Sequence, residues 1–137
     1  MPDIFFHSHA IQADEIDELG HANNVAFVAW LQAAAMGHSA AQGWPGPRYQ
    51  ELGQGWVVRS HAIEYLLPAF AGDHVVVETW VATMKKVTSL RRYRIVRRGD
   101  GALLATAETN WAFVDRTSFR PVRIPPEVGE AFVVVQR

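Results

Sequence analysis

Residues 17–42 read DELGHANNVAFVAWLQAAAMGHSAAQ, an acidic, glycine-containing turn that runs straight into an alanine-rich segment. From Asn24 to about Gln42 the large residues Phe27, Trp30, Leu31 and Met36 are scattered among alanines rather than gathered in one stripe. That pattern predicts a helix buried on most of its sides, with Gly43 as its stop. Upstream, residues 4–13 carry β-branched and aromatic side chains and predict a strand that enters the turn. Downstream, WPGPRYQELGQG at residues 44–55 is punctuated by proline and glycine and predicts a loop with one helical turn. Four stretches of strand character follow, at residues 56–67, 74–84, 89–98 and 102–114. They are separated by a Pro- and Gly-containing turn at 68–73, a polar turn at 85–88 and RGDG at 98–101, which is a hairpin signal. The run VVVETWVATM at residues 75–84 is apolar on both faces near its middle, as expected where one face meets a helix and the other a second subunit. The tail predicts a short helix near Pro126 and a final extended segment. One strand, one long helix and an antiparallel meander define an α+β fold in which a curved sheet wraps the helix, with residues 1–137 as a single domain.

Composition narrows the class. Thirteen Lys and Arg nearly balance fourteen Asp and Glu, so no global field recruits nucleic acid or an anionic membrane. The absence of cysteine removes disulfides, thiolate metal sites and cysteine nucleophiles, and is compatible with a reducing cytoplasm. The first residues lack the basic start and apolar core of a secretion signal, and no apolar run approaches the roughly 20 residues that span a bilayer. A cytoplasmic location is the expectation.

The chemistry concentrates in residues 17–30. Asp17, then Gly20-His21, then Asn23-Asn24, then Phe27 and Trp30 at helical spacing resemble the signature of hot-dog-fold thioesterases of the 4-hydroxybenzoyl-CoA thioesterase-like group. Pro68 and Gly72-Asp73, and later Asp115, Thr117, Arg120-Pro121 and Ile124-Pro125, extend the resemblance over most of the chain. It implies an acyl-CoA thioesterase in which Asp17 attacks the thioester carbonyl or activates a water, and in which the backbone N–H of Asn24 points at the thioester oxygen. It further implies that basic residues at Lys85-Lys86 meet the phosphates of coenzyme A, with Arg91 or Arg92 as a further candidate beside them, and that the site is completed in a homodimer or homotetramer. His21 and Asn23 enter as residues around the substrate. No cofactor is implied. Phe27 stands where many relatives have Tyr, and Gln32 where many have an acidic residue, on the helix face that lines the acyl pocket of the family.

General physics agrees with that placement. A helix start offers unpaired N–H groups and partial positive charge, which stabilise a developing oxyanion and keep a nearby carboxylate ionised. Taken alone, an Asp before a helix is most often a turn or capping residue, His21 and Asn23 can simply hold the loop, and Asn24 can be an N-cap. A basic hairpin is most often a solvated one; here the basic residues are Lys85, Lys86, Arg91, Arg92, Arg94, Arg97 and Arg98. His7 and His9, two apart on a strand, share a face and raise a metal reading, but no HExxH pair or recognised carboxylate spacing accompanies them. There is also no G-x-S-x-G elbow, G-x-G-x-x-G or P-loop. Rival functions are an acyl carrier protein thioesterase, an enoyl-CoA hydratase of the same fold, and a non-catalytic acyl-CoA-binding module.

Overall fold

A computed structural model describes residues 3–137. The order is β1 (Phe5–Ala10), a 3-10 turn (Ala13–Glu15), α1 (Asn24–Ala41), α2 (Gly46–Leu52), β2 (Gln54–Tyr65), β3 (His74–Met84), β4 (Thr88–Arg97), β5 (Leu103–Asp115) and α3 (Pro126–Gly129). The five strands form one antiparallel sheet in the order β1-β3-β4-β5-β2, so β1 and β2 are the edges. Among the described residues no helix is long and apolar enough to cross a membrane.

Helix α1 lies on the inner face of the sheet. Its buried residues are Ala26, Phe27, Trp30, Leu31, Ala34, Ala35 and His38, a face with the 3.6-residue period. They pack on Val75, Val77, Tyr93, Ile95, Leu104 and Ala105. Fully burying a side chain such as Leu31 or Ile95 contributes about 1.5–3 kcal/mol, so this interface is the main stabilising layer. The expectation of a helix buried on most sides is not met in the single chain. Val25 and Met36 are 78% and 68% exposed, and Ala29, Ala33 and Ala40 also face outward. Alanine carries too little hydrophobic signal to reveal which side of a helix is covered. Gly37 is explained by contact: a Cβ there would meet the Phe5 ring at 3.1 Å, and that ring stacks on His38.

The segment after α1 is more ordered than expected. Pro45 precedes α2 and a proline sits in its first turn, where a missing N–H costs nothing, and Gly53 closes it in the left-handed region at φ 75°. Trp44 and Tyr49 bury there against Phe113, Ile124 and Val128, a second small core.

Three bulges curve the sheet. Arg59 in β2, Ala82 in β3 and Leu104 in β5 are each the extra residue where two ladder steps on one strand oppose a single step on its partner. Each bulge reverses the alternation of faces. In β2, Trp56 and Val58 face the same side as His61 and Ile63, because Val58 pairs Trp111 and His61 pairs Thr109. The two-sided apolar character of β3 has a local cause as well: the chain's own tail covers its outer face. Trp80 Nε1–H donates to the Arg137 carbonyl, the Arg137 guanidinium lies over the Trp80 ring, and Val135 N–H donates to the Val81 carbonyl.

Candidate active site

Asp17 stands in a closed loop between the 3-10 turn and α1. Ile16 and Ala22 form an antiparallel bridge; Asp17 N–H donates to the His21 carbonyl at 2.9 Å, and Gly20 N–H to the Asp17 carbonyl at 3.0 Å. Gly20 supplies the left-handed corner that the turn requires, at φ 88°. Ala22 N–H ties the loop to Ala69 in the β2–β3 connection at 2.7 Å. The Asp17 carboxylate is 31% exposed; Oδ1 accepts from Leu19 N–H at 2.9 Å, while Oδ2 lies 3.8 Å from His21 Nδ1. One oxygen is therefore fixed by the backbone, and the other is less constrained.

Asn23 is the N-cap of α1. Its side-chain oxygen accepts from Ala26 N–H at 2.7 Å, and its backbone N–H donates to the Glu15 carbonyl at 2.9 Å. Asn24 is the first helical residue, so its N–H belongs to the group of donors that the helix itself does not satisfy. The sequence reading thus places Asp17, His21, Asn23 and Asn24 together, and the fold brings them into one loop and helix start.

Glu15 was not singled out from the sequence, yet it braces the loop. One carboxylate oxygen takes His9 Nε2 at 2.7 Å and Gln12 N–H at 2.9 Å; the other accepts from Trp30 Nε1–H at 2.8 Å. Burial pushes its carboxyl up, but the hydrogen bonds from Gln12, His9 and Trp30 outweigh that and hold it below the usual carboxylate range. The Gln12 to Glu15 spacing of a capping box was the available signal. His9 is committed to this brace. Among the described residues no group of three or more His, Cys, Asp or Glu side chains is placed to hold a metal ion.

Lys85 and Lys86 lie exposed on the β3–β4 hairpin, whose Lys86 carbonyl accepts from Ile124 N–H. Arg91 corrects the expectation that it joins them on a solvent-facing phosphate surface. It pairs Val81 on the inner face of β4, together with Tyr93 and Ile95, and is 6% exposed. Nη1 donates to His38 Nδ1 at 2.9 Å and to Thr79 Oγ1 at 3.1 Å. The alternation of β4 sends Arg92 and Arg94 outward instead, where they pair with Glu108 and Glu78.

A closed loop bearing one half-buried carboxylate at the start of a helix held on a five-stranded antiparallel sheet defines a hot-dog-fold protein of thioesterase type. Residues 11–132 match the model of the thioesterase-like superfamily, and the chain belongs to that family. It is 36% identical over 77 residues to the acyl-CoA thioesterase YbgC of Haemophilus influenzae, an alignment covering 56% of this chain and 55% of that protein. The chain thus spans about half the length of the curated relative it matches. A Lactobacillus plantarum protein superposes with a TM-score of 0.89 at 26% identity, over 98% of this chain and 53% of its own. A 4-hydroxybenzoyl-CoA thioesterase variant, complexed with 4-hydroxybenzoyl-CoA, superposes with a TM-score of 0.89 at 18% identity, over 96% and 100% of the two chains, and so shares the fold.

Proposed function

We propose that this chain is a single-domain, cytoplasmic acyl-CoA thioesterase that cleaves a small or medium acyl-CoA to the free acid and CoA. The observation that carries the reading is the Asp17 carboxylate, held half-exposed by the closed loop that feeds the start of α1. In the reaction, either Asp17 attacks the thioester carbonyl or it takes a proton from the attacking water. In the base route the carbon–sulfur bond breaks as the proton taken up by Asp17 passes to the CoA sulfur, and the acid carries the water oxygen. In the nucleophilic route the carbon–sulfur bond breaks to leave an acyl–Asp17 anhydride, which water hydrolyses to the free acid and the Asp17 carboxylate, its proton going to the CoA thiolate. The Asn24 N–H polarises the thioester carbonyl with help from the helix dipole. His21 and Asn23 shape the wall around the reacting group, and Lys85 and Lys86 meet the phosphates of CoA.

The working unit is a homodimer or homotetramer. What supports this is the uncovered apolar side of α1, at Val25, Ala29, Ala33 and Met36, next to exposed Leu19, Tyr65, Leu66, Leu67 and Phe70 around the loop. Monomeric proteins seldom leave many large apolar side chains of one region in water.

The test is Asp17→Asn. Asn is nearly isosteric and still accepts the Leu19 N–H, but it can neither attack a carbonyl nor take a proton. Free-thiol release from a panel of acyl-CoA thioesters should fall by roughly 10² to 10⁴ in kcat. Unfolding temperature should be almost unchanged. A folded variant that turns over its best substrate within a few-fold of the parent removes Asp17 from the chemistry. A parent that releases thiol from no thioester in the panel removes the thioesterase reading.

A further inference from the structure

The Asp17 carboxylate and the first N–H groups of α1 belong to different segments, and the proposed reaction needs the distance and angle between them to be held. A misplacement of about 1 Å between reacting groups costs roughly a hundredfold in rate. Asp17 does not provide that hold itself: among the described residues its carboxylate meets only loop residues, Leu19 N–H and His21. The loop must be joined to the helix by another group.

Glu15 makes that join at two points. Its backbone carbonyl accepts the N–H of Asn23, the cap of α1, at 2.9 Å, and its side chain accepts Trp30 Nε1–H at 2.8 Å. Trp30 follows Asn23 by seven residues, close to two helical turns, so both contacts fall on one side of α1, about 10 Å apart along its axis. One contact would fix only the place of the helix end; two separated contacts fix its tilt as well. Both anchors are firm. The other carboxylate oxygen of Glu15 is held by His9 on β1 at 2.7 Å and by Gln12 N–H at 2.9 Å. Trp30 is 2% exposed, with its ring centroid 4.7 Å from that of Phe27. Among the described residues no other side chain of residues 12–22 hydrogen-bonds α1. Asp17 lies two residues beyond Glu15, and the Ile16–Ala22 bridge and the bond from Asp17 N–H to the His21 carbonyl carry the fixed position to it.

We propose that Glu15 is a positioning residue for the reaction: through Trp30 it sets the Asp17 carboxylate against the N–H groups at the start of α1, without touching substrate itself. This role rests on the reading of Asp17 as the catalytic carboxylate. It differs from that of a purely structural brace, whose loss would lower stability and leave the turnover of each folded molecule unchanged.

The experiment is a double-mutant cycle on the intact protein, with Glu15→Gln, Trp30→Phe and the pair, followed by thiol release from an acyl-CoA and by amide hydrogen exchange. Trp30→Phe keeps an aromatic ring in the core and removes the donor. Each single variant should lower kcat by roughly tenfold to a hundredfold with KM held within about threefold. The pair should lose little more than the worse single variant, because both changes cut the same link. Val128→Ala, in the second small core, lowers stability away from the loop and should keep kcat within about twofold. Exchange of the Asp17 and Asn23 amide protons should rise in the single variants at least tenfold more than that of Val77 and Ile95 in the sheet. Either single variant supplies both readouts if the pair does not fold. Additive losses in kcat, a Val128→Ala protein that loses as much, or loop amides that exchange no faster than those of the sheet overturn the positioning role. A parent that releases no thiol instead removes the thioesterase reading, while the exchange measurement, which involves no turnover, still decides whether Glu15 and Trp30 fix Asp17 against α1.

Discussion

Glu15 joins β1, the 3-10 turn and α1 through a single side chain, and its protonation state is therefore tied to folding. A carboxyl whose folded pKa lies below its unfolded value contributes stability that is full above the unfolded value. That contribution is lost as pH falls through the folded value. Urea unfolding followed from pH 6 to pH 3 should therefore show the parent losing stability below about pH 4.5, the ordinary glutamate value. Glu15→Gln should begin less stable at pH 6 and be flatter over the acid range. Parallel curves for the two proteins would mean that the brace is not linked to folding. The residue scale is also where the sequence was least legible. Asp17, His21, Asn23 and Asn24 could be grouped from the sequence because they lie within one short stretch. Glu15 draws its partners from β1 and from the second turn of α1, and a long-range hydrogen bond leaves no local mark. Arg91 misled because a run of basic residues reads as one surface, whereas the pleat of a strand distributes it over two.

At the scale of elements, the entry to α1 is the most specified boundary in the chain. Its N-cap satisfies one donor and leaves that of Asn24 at the end of the helix, so the cap sets where the helix starts. Asn23→Ala should lower stability by about 1 kcal/mol, a fall in unfolding temperature of about 2–6 °C for a domain of this size. Asn23→Asp, which accepts the same N–H, should recover most of it, as thermal unfolding would show; equal losses in the two variants would place the role of Asn23 elsewhere. Strand and helix positions were largely readable from periodicity and turn residues. Helix α2 was underestimated because Pro45, Gly46 and Pro47 read as loop, although proline at the first turn and a glycine at the end also suit a short helix. The covered side of α1 could not be read, since alanines are compatible with either environment.

For the whole molecule, the uncovered side of α1 makes a measurable demand on assembly. Ala33 is exposed in the single chain, so Ala33→Glu should leave the fold intact. If a second copy covers this face, that buried charge should shift the sedimentation coefficient toward the monomer and reduce thioester turnover in proportion. An Ala33→Glu protein that sediments and turns over like the parent would exclude this face as the interface. The bulges bear on the molecule differently, through the length of the chain. At Arg59, Ala82 and Leu104 the sheet already contains one residue more than its ladder uses. A one-residue deletion there turns an irregular pairing into a regular one locally, and the flanking residues keep their faces. The same deletion at Ala107, inside an unbroken ladder, would turn one flank of β5 inside out. The places where this chain can shorten without exchanging its interior for its exterior are therefore few, and the backbone identifies them.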